Sequence, residues 1–286
     1  MATTKKKPAP AQAAAKPATT ARTEAKAKAK ASPAAKAGRA GTPMSLAEAL
    51  AALEQAGSAT TKQTYLRHGA REPLFGVSFA TLKDLRKRIG VDHALALGLW
   101  ASGNFDARNL AVKVVDPSKM KPAELDRWAK ESTVRMCTGY VAAIASEGPH
   151  GLSRAEAWLA SSDVPQRAMG WSLVGALAMG DVSVPAAWFL ARTAEIERTI
   201  RTGSNEERSA MNHALISIGC RDAALRKSAT AAAKRIGRVD VDPGDTACKT
   251  PDAAASVEKA WAHSLAKGLE SPAAHERRRE SMRIRC

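Results

Sequence analysis

Four arginines stand at matching places in four similar stretches of the chain. In SGNFDARNLAVKVV (102–115), STVRMCTGYVAAIAS (132–146), SSDVPQRAMGWSLV (161–174) and TGSNEERSAMNHALISI (202–218), small polar or acidic residues lead into an arginine and then an apolar run. These arginines are Arg108, Arg135, Arg167 and Arg208. Guanidinium groups repeated along one face form a ladder able to grip successive phosphates of a nucleic acid. The same placement also serves structure, because an arginine one turn into a helix reaches an acid of the neighbouring repeat. Asp106, Asp163 and Glu206 are at hand for that role. Tyr65, Tyr140 and His213 are the ring-bearing polar residues placed to face the same groove, whereas His68, in YLRHGAREP, reads as a turn-stabilising side chain.

A second source of positive charge lies at the ends. Residues 1–43 carry ten Lys/Arg against Glu24 alone, with Lys5, Lys6, Lys7, Lys26, Lys28 and Lys30 as the densest runs. The segment has no aromatic residue and almost no large aliphatic one. It cannot bury enough apolar surface to offset ordering its backbone, so it is expected to stay disordered. Residues 271–286 are expected to form a second, Arg-rich tail, with five arginines against two glutamates in HERRRESMRIRC. Flexible cationic segments bind polyanions by counterion release and read no sequence. DNA is therefore the expected partner, with RNA equally open to the tail.

The remaining chemistry is sparse. Cys137, Cys220, Cys248 and Cys286 lie far apart with no CxxC pair, which argues against a zinc module or a disulfide framework. VDVDPGDTACKTPDA (239–253) gathers Asp240, Asp242, Asp245 and Cys248, but lacks the spacing of a calcium loop. It reads as a connector locking the last helix in place. No metal or other cofactor is expected. No apolar run is long enough to span a membrane, and a cytoplasmic, nucleoid-associated monomer is the expected setting.

Helices must position all of these groups. Ser45-Leu-Ala-Glu48 is a capping box in front of AEALAALEQAG. Ser78, Asp92, Asp163, Asn205 and Asp222 open further apolar runs, Pro122, Pro185 and Pro251 mark helix starts, and Gly57, Gly90, Gly219 and Gly237 close others. About a dozen helices joined by short connections result, with no convincing strand alternation. Their repetition at roughly 27 to 41 residues implies an all-α superhelix of HEAT type over residues 44–270. Within STVRMCTGYVAAIAS, Val134, Cys137, Val141 and Ile144 share one face and Met136, Tyr140 and Ala143 another, the pattern of a largely buried inner helix. Tryptophans 100, 128, 158, 171 and 188 read as core.

The order YLRHGAREPLFGVSFATLKDLRKRIG, LGLWASGNFDARNLAVKVVD, AEAWLASSDVPQRAMGWSLVGALA resembles the HEAT-like DNA alkylation repair family over residues 46–260. The closing RVDVDPGDTACKTPDAAASVEK looks like the signature of one branch of it. The resemblance implies a solenoid whose concave face holds duplex DNA, with an aspartate and two tryptophans against the damaged nucleotide. The carboxylate there would stabilise positive charge developing on the sugar. The family's tryptophan-aspartate-x-x-aspartate motif falls on Met136-Cys137-Thr138-Gly139-Tyr140, and nothing from Ser132 to Ser146 is Asp or Glu. The second tryptophan position falls near His213 and the arginine after it on Ile216. Arg167 matches the family's arginine at a helix start and Tyr65 its early tyrosine. The implied protein keeps the scaffold and binds duplex or damaged DNA without efficient base excision. An alkylpurine glycosylase with a different residue set and a protein-interaction scaffold are the alternatives.

Overall fold

The computed structural model describes Met1 and residues 43–132, 135–244 and 249–285, with the side chains of 135–138 outside that description. Residues 2–42, which carry the lysine segment, lie outside the described residues as well. All the described helices belong to one unit, Ala40–Cys286.

Among the described residues, fifteen α-helices run along that unit: α1 (Leu46–Gln55), α2 (Ala59–Arg67), α3 (Phe79–Ile89), α4 (His93–Ala101), α5 (Phe105–Val114), α6 (Pro122–Glu131), α7 (Arg135–Glu147), α8 (Gly151–Leu159), α9 (Val164–Gly180), α10 (Ala186–Thr199), α11 (Asn205–Gly219), α12 (Ala223–Ile236), α13 (Ala253–Leu265), α14 (Pro272–Arg277) and α15 (Met282–Arg285). The starts follow local chemistry. Ser45 and Glu48 form the expected capping box on α1, and Ser78, Asp92, Asp163 and Asp222 accept backbone N–H groups at the heads of α3, α4, α9 and α12. Two expected starts shift. Ser204, not Asn205, caps α11 through a capping box with Glu207. Asp252 caps α13, which puts Pro251 just outside that helix.

The helices stack as pairs. The second members, α3, α5, α7, α9 and α11, pack in succession against one another, and α11 continues onto α13. The first members include α6 on α8 and α10 on α12. This is the expected solenoid, and one continuous apolar core runs through it. Close helix approach is built in at Gly170 of α9, where a Cβ would sit 2.9 Å from the backbone nitrogen of Leu159. Any side chain there would push α8 and α9 apart.

The tryptophans do more than fill the core. Trp100, Trp128, Trp158 and Trp188 lie on α4, α6, α8 and α10, spaced 28, 30 and 30 residues apart. The Trp100 indole N–H donates to Glu131 (2.6 Å), that of Trp158 to Asp126 (2.7 Å) and that of Trp188 to Glu156 (3.3 Å). Each bond joins one first helix to the next. Trp100 and Trp128 also stack face to face, with centroids 4.1 Å apart.

Asp106 has a task the sequence does not disclose. It is fully buried and accepts the backbone N–H groups of Phe75 (2.6 Å), Gly76 (3.0 Å) and Val77 (2.9 Å). It anchors the turn before α3 and does not pair with a repeat arginine. Gly76 in that turn has φ +84°, and a Cβ would lie 2.5 Å from Ser58 O, so only glycine fits.

Residues 271–285 are not a separate tail. Ser271 caps α14, which packs on α9, and α15 packs on α5 and α7. Arg283 is 4% exposed. The arginines expected in solution are instead largely drawn onto carboxylates and carbonyl groups.

Candidate nucleic-acid interface

The four repeat arginines sit near the N-terminal ends of α5, α7, α9 and α11, along one edge of the second-helix layer. Helix N-termini add their own partial positive charge there. The arginines nevertheless have different surroundings. Arg108 pairs with Glu131 (3.0 Å), donates to the carbonyl groups of Glu131 and Trp100, and lies 5.0 Å over the Trp100 ring. Arg167 donates through Nε to Glu207 (2.7 Å) and through Nη1 to the carbonyls of Ser161 and Ser162 (both 2.9 Å). Both therefore bridge repeats, as the structural alternative anticipates, but through Glu131 and Glu207, not Asp106, Asp163 or Glu206. Asp163 caps α9 and Glu206 is exposed to solvent. The side chain of Arg135 lies outside the described residues.

Glu207 illustrates the electrostatics. Its side chain is 10% exposed, and burial, the largest influence, raises its pKa. The hydrogen bond from Arg167 and those from Ser204 together outweigh burial and hold the carboxyl below the ordinary value. Arg167 and Ser204 together favour its carboxylate form.

Arg208 is the exception in the series. Its Nε is buried without a hydrogen-bond partner among the described residues. It lines a cleft of about 160 Å³ with Arg201, Arg238 and Asp240, walled by Ile200 and Ile236. Arg201 reaches the Ile236 carbonyl (2.5 Å), and Arg238 meets Asp240 (2.8 Å) with both side chains largely exposed. Such an exposed pair is weak. Three guanidinium groups and one carboxylate thus line the cleft, which carries a net positive charge. Arg201 and Arg238 follow no repeat position, so the sequence pattern carries no signal for them.

The ring residues divide similarly. Tyr65, expected at the groove, is 6% exposed and donates its hydroxyl to Val77 O (2.7 Å), and burial pushes its pKa to about 12. It packs edge-on against Phe79 and Phe105 and is a core residue. Tyr140 is 8% exposed, with the Lys113 ammonium 5.2 Å from its ring centroid. His213 is exposed, and its Nδ1 lies 2.7 Å from Ser209 O. Nδ1 donates to that carbonyl, which leaves Nε2 for another partner. His68 ends α2 in the expected turn.

Along α7 the motif positions Met136, Cys137 and Thr138 have no described side chains. Gly139 and Tyr140 are described, and Val141 and Ile144 are fully buried as a core helix requires. The single carboxylate of α7 is Glu147, at its far end, and it is taken by Arg283 (2.9 Å) and Ser281. The 239–253 connector is tied down by Asn205, whose side chain brackets Asp242 through bonds of 2.9 and 2.7 Å, and by Asn212, which donates to Pro251 O. Asp245 and Cys248 lie outside the described residues. Cys220 is buried, and burial raises its thiol pKa to about 11.

With this geometry in hand, comparison with known proteins decides the family. The DNA alkylation repair enzyme family matches residues 46–239. The chain belongs to this family. Two uncharacterised relatives from the genus Listeria, Lmo0209 of Listeria monocytogenes and Lin0241 of Listeria innocua, are each 31% identical over 206 residues, covering 70% of this chain and 90% of theirs. A solved structure described as a new family of proteins related to the HEAT-like repeat DNA glycosylases, with affinity for branched DNA structures, superposes with a TM-score of 0.70. It is 28% identical and matches 79% of this chain and 96% of that one. Among the described residues of this DNA alkylation repair family member, no helix is long and apolar enough to cross a membrane.

Proposed function

We propose that the protein binds DNA, preferring branched junctions over linear duplex, through its second-helix layer and the arginine edge beside it, without efficient base excision. The observation that carries this reading is the excess of Arg201, Arg208 and Arg238 over the single carboxylate of Asp240 at the head of α11. The neighbour's affinity for branched DNA supports the choice of ligand. The case against excision rests on α7, where the only acid, Glu147, is engaged by the C-terminal segment. Loss of a pre-organised charge that acts on the transition state costs about two to three orders of magnitude in rate. The lysine segment, with Lys5, Lys6, Lys7, Lys26, Lys28 and Lys30, adds affinity that falls steeply with salt and ignores structure.

The test compares a four-way junction with a duplex of equal length by fluorescence anisotropy, using the full chain and its Arg201→Ala/Arg208→Ala variant. The junction should bind the parent more tightly. The variant should bind it at least about tenfold more weakly, since two charge-assisted hydrogen bonds to phosphate are lost. Equal affinity for both ligands rejects the preference for branched DNA. Release of 7-methylguanine from a duplex well above the spontaneous rate rejects the non-catalytic reading.

A further inference from the structure

Residues 278–285 cross the second-helix layer on the side away from the arginine edge. Arg283 donates through Nη1 to the Val112 carbonyl (2.7 Å) at the end of α5 and through Nε to Glu147 (2.9 Å) at the end of α7. Its own carbonyl accepts the ammonium of Lys113 (2.9 Å), a residue 1% exposed that also faces the rings of Phe79 and Tyr140. Ser281 donates to Glu147 as well. Glu280 pairs with Arg86 of α3 (2.9 Å). Met282 reaches inward over α7, its methyl 3.9 Å from where a Cβ on Gly139 would be. The segment therefore covers α7 from Gly139 to Glu147 and spans α3, α5 and α7.

Its attachment is polar. Met282 remains 43% exposed, Arg278, Arg279 and Glu280 are exposed, and α15 is only four residues long. Little apolar area holds it, and its more exposed ion pair, Glu280 with Arg86, weakens in salt and before a competing polyanion. The segment's arginines are the groups phosphates would seek.

We propose that residues 278–285 are a displaceable strap over the DNA-binding layer. DNA phosphates capture the strap's arginines, Glu147 is released from its partners, and the layer around Lys113, Gly139 and Tyr140 opens to the ligand. This rests on the DNA-binding reading above. It also inverts the expectation for an Arg-rich terminus: the closed strap limits affinity.

The test is a charge swap in the full chain. Arg283→Glu places a carboxylate against Glu147 and should release the strap. Junction affinity should then rise by about tenfold, the factor forfeited when only about one molecule in ten is competent. Replacing a cation by an anion would by itself weaken binding, so the direction is diagnostic. Glu147→Arg/Arg283→Glu restores an opposite-charge pair at the parent's net charge and should return affinity to the parent level. Hydrogen exchange gives a second readout: amides of 281–285 should lose protection when DNA is added to the parent. A parent that binds, with Arg283→Glu equal or weaker, or protection of 281–285 unchanged or increased on DNA, overturns the strap alone. Failure of parent and variant to bind any DNA overturns the DNA-binding reading and the strap with it.

Discussion

Arg167→Ala separates a brace from a phosphate grip. The substitution leaves Glu207, whose side chain is 10% exposed, without the cation beside it. Breaking one side of a buried pair costs about 3–5 kcal/mol. Arg167 is itself 29% exposed, so water reaches the vacated space and a lower figure, about 2–3 kcal/mol, applies. For a folded unit of this size that is a fall of about 5–10 °C in melting temperature. The pH dependence supplies an independent sign. In the parent the Glu207 pKa is depressed, so its contribution is present above the unfolded value near 4.5 and is lost as pH falls through the folded value. Without Arg167 only the bonds from Ser204 oppose burial, so the Glu207 pKa rises from its depressed value and protonation relieves the variant before the parent as pH falls. The stability deficit should therefore be full at pH 7 and narrow as pH falls below about 4.5, as measured by urea unfolding. Arg167→Ala/Glu207→Gln should recover part of the deficit at pH 7. DNA affinity of folded Arg167→Ala should change by less than about threefold. A deficit under about 1 kcal/mol that is flat with pH, together with a collapse in DNA affinity, would refute the assignment and make Arg167 a phosphate contact.

Asp106→Ala should destabilise more than any change on the arginine edge. It orphans three buried or half-buried N–H groups, at about 1–3 kcal/mol each, and calorimetry checks it. Arg221→Lys should cost about 2 kcal/mol or more in urea unfolding, since the guanidinium serves the carbonyls of Leu177, Ala178, Asp181 and Val184 from a site 8% exposed. Cys220, with its thiol pushed up to about 11, should resist iodoacetamide at pH 8 until the protein unfolds, read residue by residue by mass spectrometry. Tyr65 should stay neutral through pH 11 in the folded protein, observed as the missing tyrosinate absorbance in Tyr140→Phe.

Local chemistry makes the helices legible. Caps such as Ser45 and Asp222 act through a side chain on its own backbone, and no distant contact can overrule them cheaply. The solenoid is legible too, although its cleanest register lies elsewhere than in the arginines. Those drift in spacing, whereas tryptophans 100, 128, 158 and 188 recur almost evenly. The site is less legible because charge has no address in a sequence. Glu131 and Glu207 take Arg108 and Arg167 from positions 23 and 40 residues further along. Arg208 meets no acid of its own among the described residues, and its neighbourhood sets Arg201 and Arg238 against Asp240 alone. Arg283 reads as a tail residue until Glu147, Lys113 and Val112 are seen around it. A lysine inside the apolar run NLAVKVV is the visible hint that something polar must meet it there.

The indole-to-carboxylate bonds along α4, α6, α8 and α10 have a mechanical consequence. They act as tie rods on the back of a spring, at a radius where a small change in bond length corresponds to a small change in curvature. Across the second layer, Arg167 and Glu207 join the heads of α9 and α11, and Arg221, just past α11, serves the carbonyls at the far end of α9. Both layers thus hold the curvature, and on the DNA-binding proposal a ligand that does not fit the bend is the partner that flexes. On that proposal a branched nucleic acid, hinged at its crossover, would meet the demand at less elastic cost than a continuous duplex.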